Sequence, residues 1–220
     1  MPRPKLIRTK DFPYHVTVRT NNQEFFPIHL DRVWKTFTLE IEKAKKKYNV
    51  DIISFVMMSN HIHLILQTPE LNIDVFMAYI LGQSSKRLNT LATRSNHIFG
   101  KRYHWSIIKN EFYFSNVYRY VYQNPVSSGL CKQVQDYPYS TLYYEYHRNP
   151  LPFEMKSPEI SSDFYIPRSF EARLQWLNET FSKEKKELIE HALKKSVFGL
   201  PYGTKIDHFT NENQPKGVRF

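Results

Sequence analysis

The chain has 220 residues, 41% hydrophobic and 24% charged, enough for one full core with an extension. Its one cysteine, Cys131, excludes an internal disulfide and fits a reducing compartment; no apolar run is long enough for a membrane span or signal peptide. The net charge of +10 is uneven, with 20 Lys and Arg against 11 Asp and Glu in residues 1–150 but 11 against 10 in 151–220. A basic surplus confined to one part of the chain points to a polyanionic partner, most often nucleic acid. The expected setting is a cytoplasmic protein without a membrane partner. Arg3, Lys5, Arg8 and Lys10 form a basic arm suited to phosphates.

Residues 14–19 alternate Tyr, Val and Val against His, Thr and Arg, which reads as a strand. Val33, Trp34, Phe37, Ile41, Ala44 and Tyr48 then recur at helical spacing, with Lys43, Lys45, Lys46 and Lys47 on the other side. Residues 51–67 read as a hairpin: Val56 to Met58 is apolar, Ser59-Asn60 turns, and Ile62, Leu64, Ile65 and Leu66 resume the apolar run. Asn72 is placed to cap a second helix carrying Ile73, Phe76, Met77, Ile80, Leu88 and Leu91. Gly100 breaks the chain, and residues 103–109 read as a fourth strand. The order β-α-β-β-α-β predicts an α+β fold, the ferredoxin-like split βαβ with an antiparallel sheet. Helices on one face would leave the other free to carry a site.

A short helix follows, with Ser115 or Asn116 as its cap and Pro125 as its stop. Residues 149–158 are a proline-rich connector, and 170–181 and 183–198 carry two further helical patterns. The division expected is a main domain over 1–148 and a C-terminal helical extension over 149–220. That extension is either an appendage on the core, or a cap or DNA-contact module.

The chemistry-bearing residues sit on two of these elements. His61 and His63 lie two apart on a strand, so both imidazoles leave the same face and make a start on a divalent-metal site. Alone the pair is weak, since alternate histidines also occur on plain surface. The helix between Phe112 and Pro125 is dense in tyrosine, and Tyr113, Tyr118, Tyr120 and Tyr122 are each candidates for a nucleophile. Spacing separates them: one turn beyond Tyr120 lies Asn124, a hard oxygen donor, whereas Tyr118 leads to Tyr122 and Tyr113 to Val117. Tyr118 and Tyr122 otherwise read as an aromatic core face.

Met58-Ser-Asn-His-Ile-His-Leu64, followed by Tyr118-Arg-Tyr-Val-Tyr-Gln-Asn-Pro-Val126, resembles the HUH single-tyrosine transposases of the insertion-sequence type. Ser128-Gly-Leu130 with Asp136-Tyr-Pro-Tyr-Ser-Thr141 is similar to the branch called REP-associated tyrosine transposases. The resemblance runs from about Tyr14 to Tyr146, with a weaker echo at Phe198-Gly-Leu-Pro-Tyr-Gly203. It implies that His61 and His63 hold Mg²⁺ or Mn²⁺, that Tyr120 is the nucleophile, and that Asn124 is the third ligand. Gln123 is the neighbour to consider if Asn124 is not that ligand. The two imidazoles lean the site toward Mn²⁺.

The implied reaction joins Tyr120 to DNA through a 5′-phosphotyrosine, releases a 3′-hydroxyl, and lets a second strand reverse the step without ATP. The implied partner is single-stranded hairpin DNA of repetitive palindromic elements, bound by a monomer or a homodimer. Lys86, Arg87, Arg94, Lys101 and Arg102 are candidates to grip hairpin phosphates. Tyr103 and Trp105 are candidates for stacking on bases or for the core. His15 and His104 are candidate general bases or ordinary histidines. Two other readings remain: a non-cleaving nucleic-acid-binding module, and a zinc hydrolase using His61 and His63, which needs another strong ligand.

Overall fold

In the computed structural model, which describes residues 5–158, 166–201 and 204, alternation along β1 (Tyr14–Arg19) buries Tyr14, Val16 and Val18 in one core cluster. His15, Thr17 and Arg19 leave the other face. β2 (Asp51–Met57), β3 (His61–Gln67) and β4 (His104–Ile107) complete an antiparallel sheet of order β2-β3-β1-β4. With α1 (Leu30–Lys45) after β1 and α2 (Ile73–Ala92) after β3, this is the split βαβ arrangement read from the sequence. The two helices pack on the face carrying Val16, Phe55, Leu64 and Trp105, and Phe37 and Phe76 fill the space between. Each such side chain, fully buried, contributes about 1.5–3 kcal/mol.

The second face is not free. It is covered by α3 (Glu111–Ser127) with α4 (Thr141–Tyr146), α5 (Phe170–Asn178) and α6 (Lys183–Ala192). Val56 and Ile65 of the sheet meet Val117 and Val121 of α3, and Trp176, Leu177 and Ile189 of the extension join the same cluster. The candidate side chains, His61, His63 and Tyr120, lie where α3 crosses the sheet.

Several local expectations are corrected. β4 is shorter than residues 103–109, and Asn72 precedes α2 without making a side-chain cap bond. α3 begins earlier than predicted: Asn110 is the cap, accepting from Tyr113 N at 2.8 Å. Ser115 and Asn116 lie inside the helix and bond back to the Phe112 carbonyl. Pro125 does not stop the helix, which runs on to Ser127. Proline brings no N–H to the Val121 carbonyl. The Asn124 amide nitrogen donates to Tyr120 O at 2.8 Å and comes within only 3.5 Å of Val121 O. The turn after α3 uses Gly129 at φ 70°, the left-handed geometry that suits a helix end.

Both exposed strand edges are covered, which removes sites for unwanted pairing. The Asp136–Thr141 motif shields β2: Met57 N donates to Tyr139 O at 2.9 Å and Tyr137 Oη to Met57 O at 2.8 Å. Thr141 Oγ1 accepts from Phe55 N at 3.1 Å and donates to Phe55 O at 3.3 Å, with the Tyr122 hydroxyl 2.9 Å away. Beside β4, Ile107 N donates to Ser196 O at 2.9 Å and Phe198 N to Ile107 O at 2.8 Å. Of the tail echo, Tyr202 and Gly203 lie outside the described residues.

Thr141→Val keeps the volume but strands a buried amide and a tyrosine hydroxyl. It should cost about 1–3 kcal/mol, read from the urea midpoint. An unchanged midpoint would show that this edge shield contributes nothing to stability. Among the described residues, no helix is long and apolar enough to cross a membrane.

Candidate functional site

The period-2 geometry of β3 sends His61 and His63 toward α3 while Ile62 and Leu64 enter the first core cluster. The two imidazoles are in contact, with ring centroids 4.9 Å apart. His61 Nδ1 lies 2.7 Å from Asn60 Oδ1, an oxygen that only accepts, so Nδ1 carries the proton and Nε2 keeps its lone pair. His63 Nδ1 lies 2.9 Å from His15 Nε2. Thr17 is directly opposite His63 in the ladder, which makes His15 its diagonal neighbour on the same face. The two rings stack at 5.2 Å. His63 Nε2 is buried without a hydrogen-bond partner, as is His15 Nδ1.

Burial keeps these imidazoles neutral. It lowers His15 to about 3, helped by the charges of His104 and His61, and lowers His61 to about 4, helped by Arg19. His63 is pushed well below its usual 6.5, by burial first and then by its neighbours. Unfolded imidazoles titrate near 6.5, so below that pH the unfolded chain binds more protons than the folded one. Their contribution to stability is therefore complete above about pH 6.5 and is lost as the pH falls toward 4 for His61 and toward 3 for His15. The loss should be on the order of 2–3 kcal/mol per imidazole by about pH 4. Urea melts across this range measure it, and a flat profile would mean that these rings are not buried and neutral.

Tyr120 reaches the same place from α3. Its ring centroid is 5.9 Å from His63 and 6.4 Å from His15, and only 8% of the residue is exposed. Burial raises the phenol well above its usual range, and the negative charge of Glu190 adds to this. The Asn124 side chain and Arg19 act the other way. Asn124 lies one turn on, with its amide nitrogen committed to the helix carbonyls, which leaves Oδ1 as its remaining polar atom. His15, His61, His63, Tyr120 and Asn124 all line one cavity of 790 Å³. Arg19, Lys101 and Arg102 also line it, as do Lys186, Glu190 and Lys194 from the extension.

The other candidates part company here. Tyr118 and Tyr122 are buried side by side, 5.0 Å between centroids, on a separate cavity of 490 Å³; burial raises Tyr118 to about 12. Tyr113 packs edge-on against Phe198. Gln123 turns away from the histidines: its Nε2 donates to the carbonyls of Leu177 and Glu179, and its Oε1 accepts from Phe181 N. Its role is to clamp the end of α5. His104 Nε2 donates to Leu193 O at 2.7 Å, and Tyr103 and Trp105 are buried in the first core cluster. Arg87 and Arg94 face Glu40 and Glu24 at 3.9 Å, and Arg8 is held by Asp74 at 2.7 Å. Arg3 lies outside the described residues.

Sequence reasoning had no place for Arg19, Lys186, Glu190 or Lys194, and took His15 as a possible base or an ordinary histidine. The alternation of β1 did carry the signal that His15, Thr17 and Arg19 share one face. Among the described residues, no three His, Cys, Asp or Glu side chains gather into a metal-binding group, so no strong third ligand for zinc joins the histidine pair.

Residues 8–124 match the family described as "Transposase IS200 like", a stretch that contains His61, His63, Tyr120 and Asn124. The chain belongs to this transposase family. A REP-associated tyrosine transposase of Escherichia coli K12 is 29% identical over 114 residues, covering 52% of this chain and 67% of that protein. A Haemophilus influenzae protein assigned to the same group is 28% identical over 118 residues, 49% of this chain and 67% of its own length. The transposase fold is shared with a REP-associated tyrosine transposase solved bound to a REP hairpin. That likeness has a TM-score of 0.59 at 22% identity, covering 73% of this chain and 96% of the other.

Proposed function

We propose that this member of the transposase family binds single-stranded hairpin DNA, cleaves it through a 5′-phosphotyrosine on Tyr120, and rejoins strands. The catalytic domain would be residues 1–148, with 149–220 as a helical extension. What carries the reading is the meeting of Tyr120, the two histidines and Asn124 in one cation-lined cavity.

The donor set fits a divalent ion, Mg²⁺ or Mn²⁺. Two imidazoles are neutral at physiological pH, and His63 Nε2 is a buried ring nitrogen without a hydrogen-bond partner, a state that costs about 1–3 kcal/mol unless something fills it. Asn124 Oδ1 would be the third donor. Hydrogen bonds on the far nitrogens, from Asn60 and His15, orient both rings as outer partners of metal ligands do. A bound ion would supply Lewis acidity toward a non-bridging phosphate oxygen.

The rest of the chemistry falls to Tyr120. Its hydroxyl oxygen attacks phosphorus, the phenol proton leaves to solvent, and the P–O3′ bond breaks. The departing 3′ oxygen takes up a proton, leaving the 5′ end joined to Tyr120. A 3′-hydroxyl from another strand reverses these bonds, so the phosphodiester energy is conserved. Arg19 favours the phenolate by charge, against the burial and the Glu190 carboxylate that hold the proton on Tyr120.

The test mixes the protein with labelled single-stranded hairpin oligonucleotides and Mn²⁺, and looks on denaturing gels for DNA attached to protein. The expected result is an adduct that disappears with EDTA. Tight binding with no adduct, across a broad panel of hairpins, would replace this reading with a non-cleaving binding module.

A further inference from the structure

The extension does more than pack on the core. Residues 183–194 lie beyond the segment matched to the family, yet Lys186, Glu190 and Lys194 line the same cavity as Tyr120. At i, i+4 and i+8 they share one face of α6. Lys194 is just past the helix end, where Leu193 keeps helical dihedrals (φ −67°, ψ −14°) and Lys194 N donates to His191 O. The two lysines are thus on the order of 12 Å apart along the helix axis.

α6 is held in place at both ends. Ser182 caps its start by accepting from Lys185 N, and Ile189, Ala192 and Leu193 are buried against α3 and the sheet. At its end, His104 of β4 grips Leu193 O, and the backbone of residues 196–198 pairs with Ile107. Lys186 Nζ lies 3.8 Å from Glu190 Oε1, so one carboxylate steadies a lysine that a phosphate can take over. With Arg19, Lys101 and Arg102, five cations face one carboxylate around the cavity. Fixed cations along a helix suit a polyanion that passes through the site rather than one that only docks outside it.

We propose that α6 is a strand-holding element: Lys186 and Lys194 bind backbone phosphates of the single strand that runs past Tyr120 beyond the hairpin stem. This inference rests on the single-strand DNA reading above. It makes the extension part of the DNA site, and the length of single strand required part of substrate choice.

The experiment compares binding of two labelled oligonucleotides, a hairpin alone and the same hairpin with a single-stranded tail, by the full chain without metal. Lys186→Ala/Lys194→Ala is set against Lys183→Ala/Lys195→Ala, which removes the same charge from exposed positions that do not line the cavity. Circular dichroism checks that both variants keep the fold. The cavity variant should weaken tailed DNA roughly tenfold at moderate salt and reduce the log-log salt slope by about 1.4, two contacts at 0.7 each. It should leave the bare hairpin unchanged, and the control variant should do little to either.

Equal losses in both variants would overturn the proposal in favour of diffuse charge. So would unchanged binding of tailed DNA by the cavity variant. If the unaltered protein binds no tailed DNA at all, the DNA reading itself fails and the proposal goes with it. If tailed DNA binds through these lysines but no adduct ever forms with metal, the strand-holding role stands and only the cleavage reading falls.

Discussion

Tyr120→Phe is expected to bind hairpin DNA as the unaltered protein does and to form covalent adduct at a rate lower by roughly 10³-fold or more. Only the hydroxyl is lost, and the ring continues to fill its place beside His63 and His15. Tyr118→Phe and Tyr122→Phe should both keep the adduct, because their hydroxyls lie on the other cavity and Tyr122 bonds to Thr141. An adduct that survives in Tyr120→Phe would mean the chemistry is right and the nucleophile is another tyrosine. Burial and Glu190 hold the phenol protonated at neutral pH, so the adduct rate should climb as pH rises through about 7 to 9. Glu190 opposes ionisation of Tyr120 while Arg19 favours it, so the cleft sets this phenol with charges from both ends of the chain.

The second large effect concerns the histidines. His61→Ala and His63→Ala should each lower Mn²⁺ affinity by roughly 10²-fold or more, measured by calorimetry or by the Mn²⁺ spin signal without DNA. The two should differ in stability. His61 is half-buried and bonded only to the turn residue Asn60, whereas His63 is buried, stacked on His15 and bonded to it. His63→Ala leaves a void and an unpaired imidazole, at about 1–3 kcal/mol, and His61→Ala should cost less. His15→Ala touches no proposed ligand atom, yet it frees the far nitrogen of His63 and should weaken Mn²⁺ by roughly 10- to 100-fold. His15→Gln offers an amide oxygen in place of Nε2 and should recover part of that affinity. Unchanged Mn²⁺ binding in both histidine variants would remove the metal site from this face of the sheet.

Much of the frame was legible before any coordinates. The strand Tyr14–Arg19, the hairpin around Ser59-Asn60 and the two amphipathic helices follow from periods of 2 and 3.6, which local sterics impose on any chain. The same arithmetic put His61 and His63 on one face and set Tyr120 one turn before Asn124. Boundaries were less legible. Pro125 reads as a stop because its missing N–H breaks the ladder, but the helix continues to Ser127, where Ser128 N closes on Asn124 O at 3.0 Å. Asn110, not Ser115 or Asn116, caps the helix, since an earlier start buries Phe114 and Val117 against the sheet.

By itself, then, the sequence determined the element order, the paired imidazoles and the turn of helix that joins Tyr120 to Asn124. Each depends on residues within a few positions of one another. Only the tertiary structure brought Tyr120 up against the histidines, and only it decided that Gln123 serves the extension, that His15 pairs with His63, and that α6 brings Lys186, Glu190 and Lys194 to the cavity. These pairings join residues some 50 or more positions apart, as His15 with His63 (48) and Gln123 with Leu177 (54) do. They are set by how helices cover a sheet face and where buried polar atoms find partners, and no local period records that.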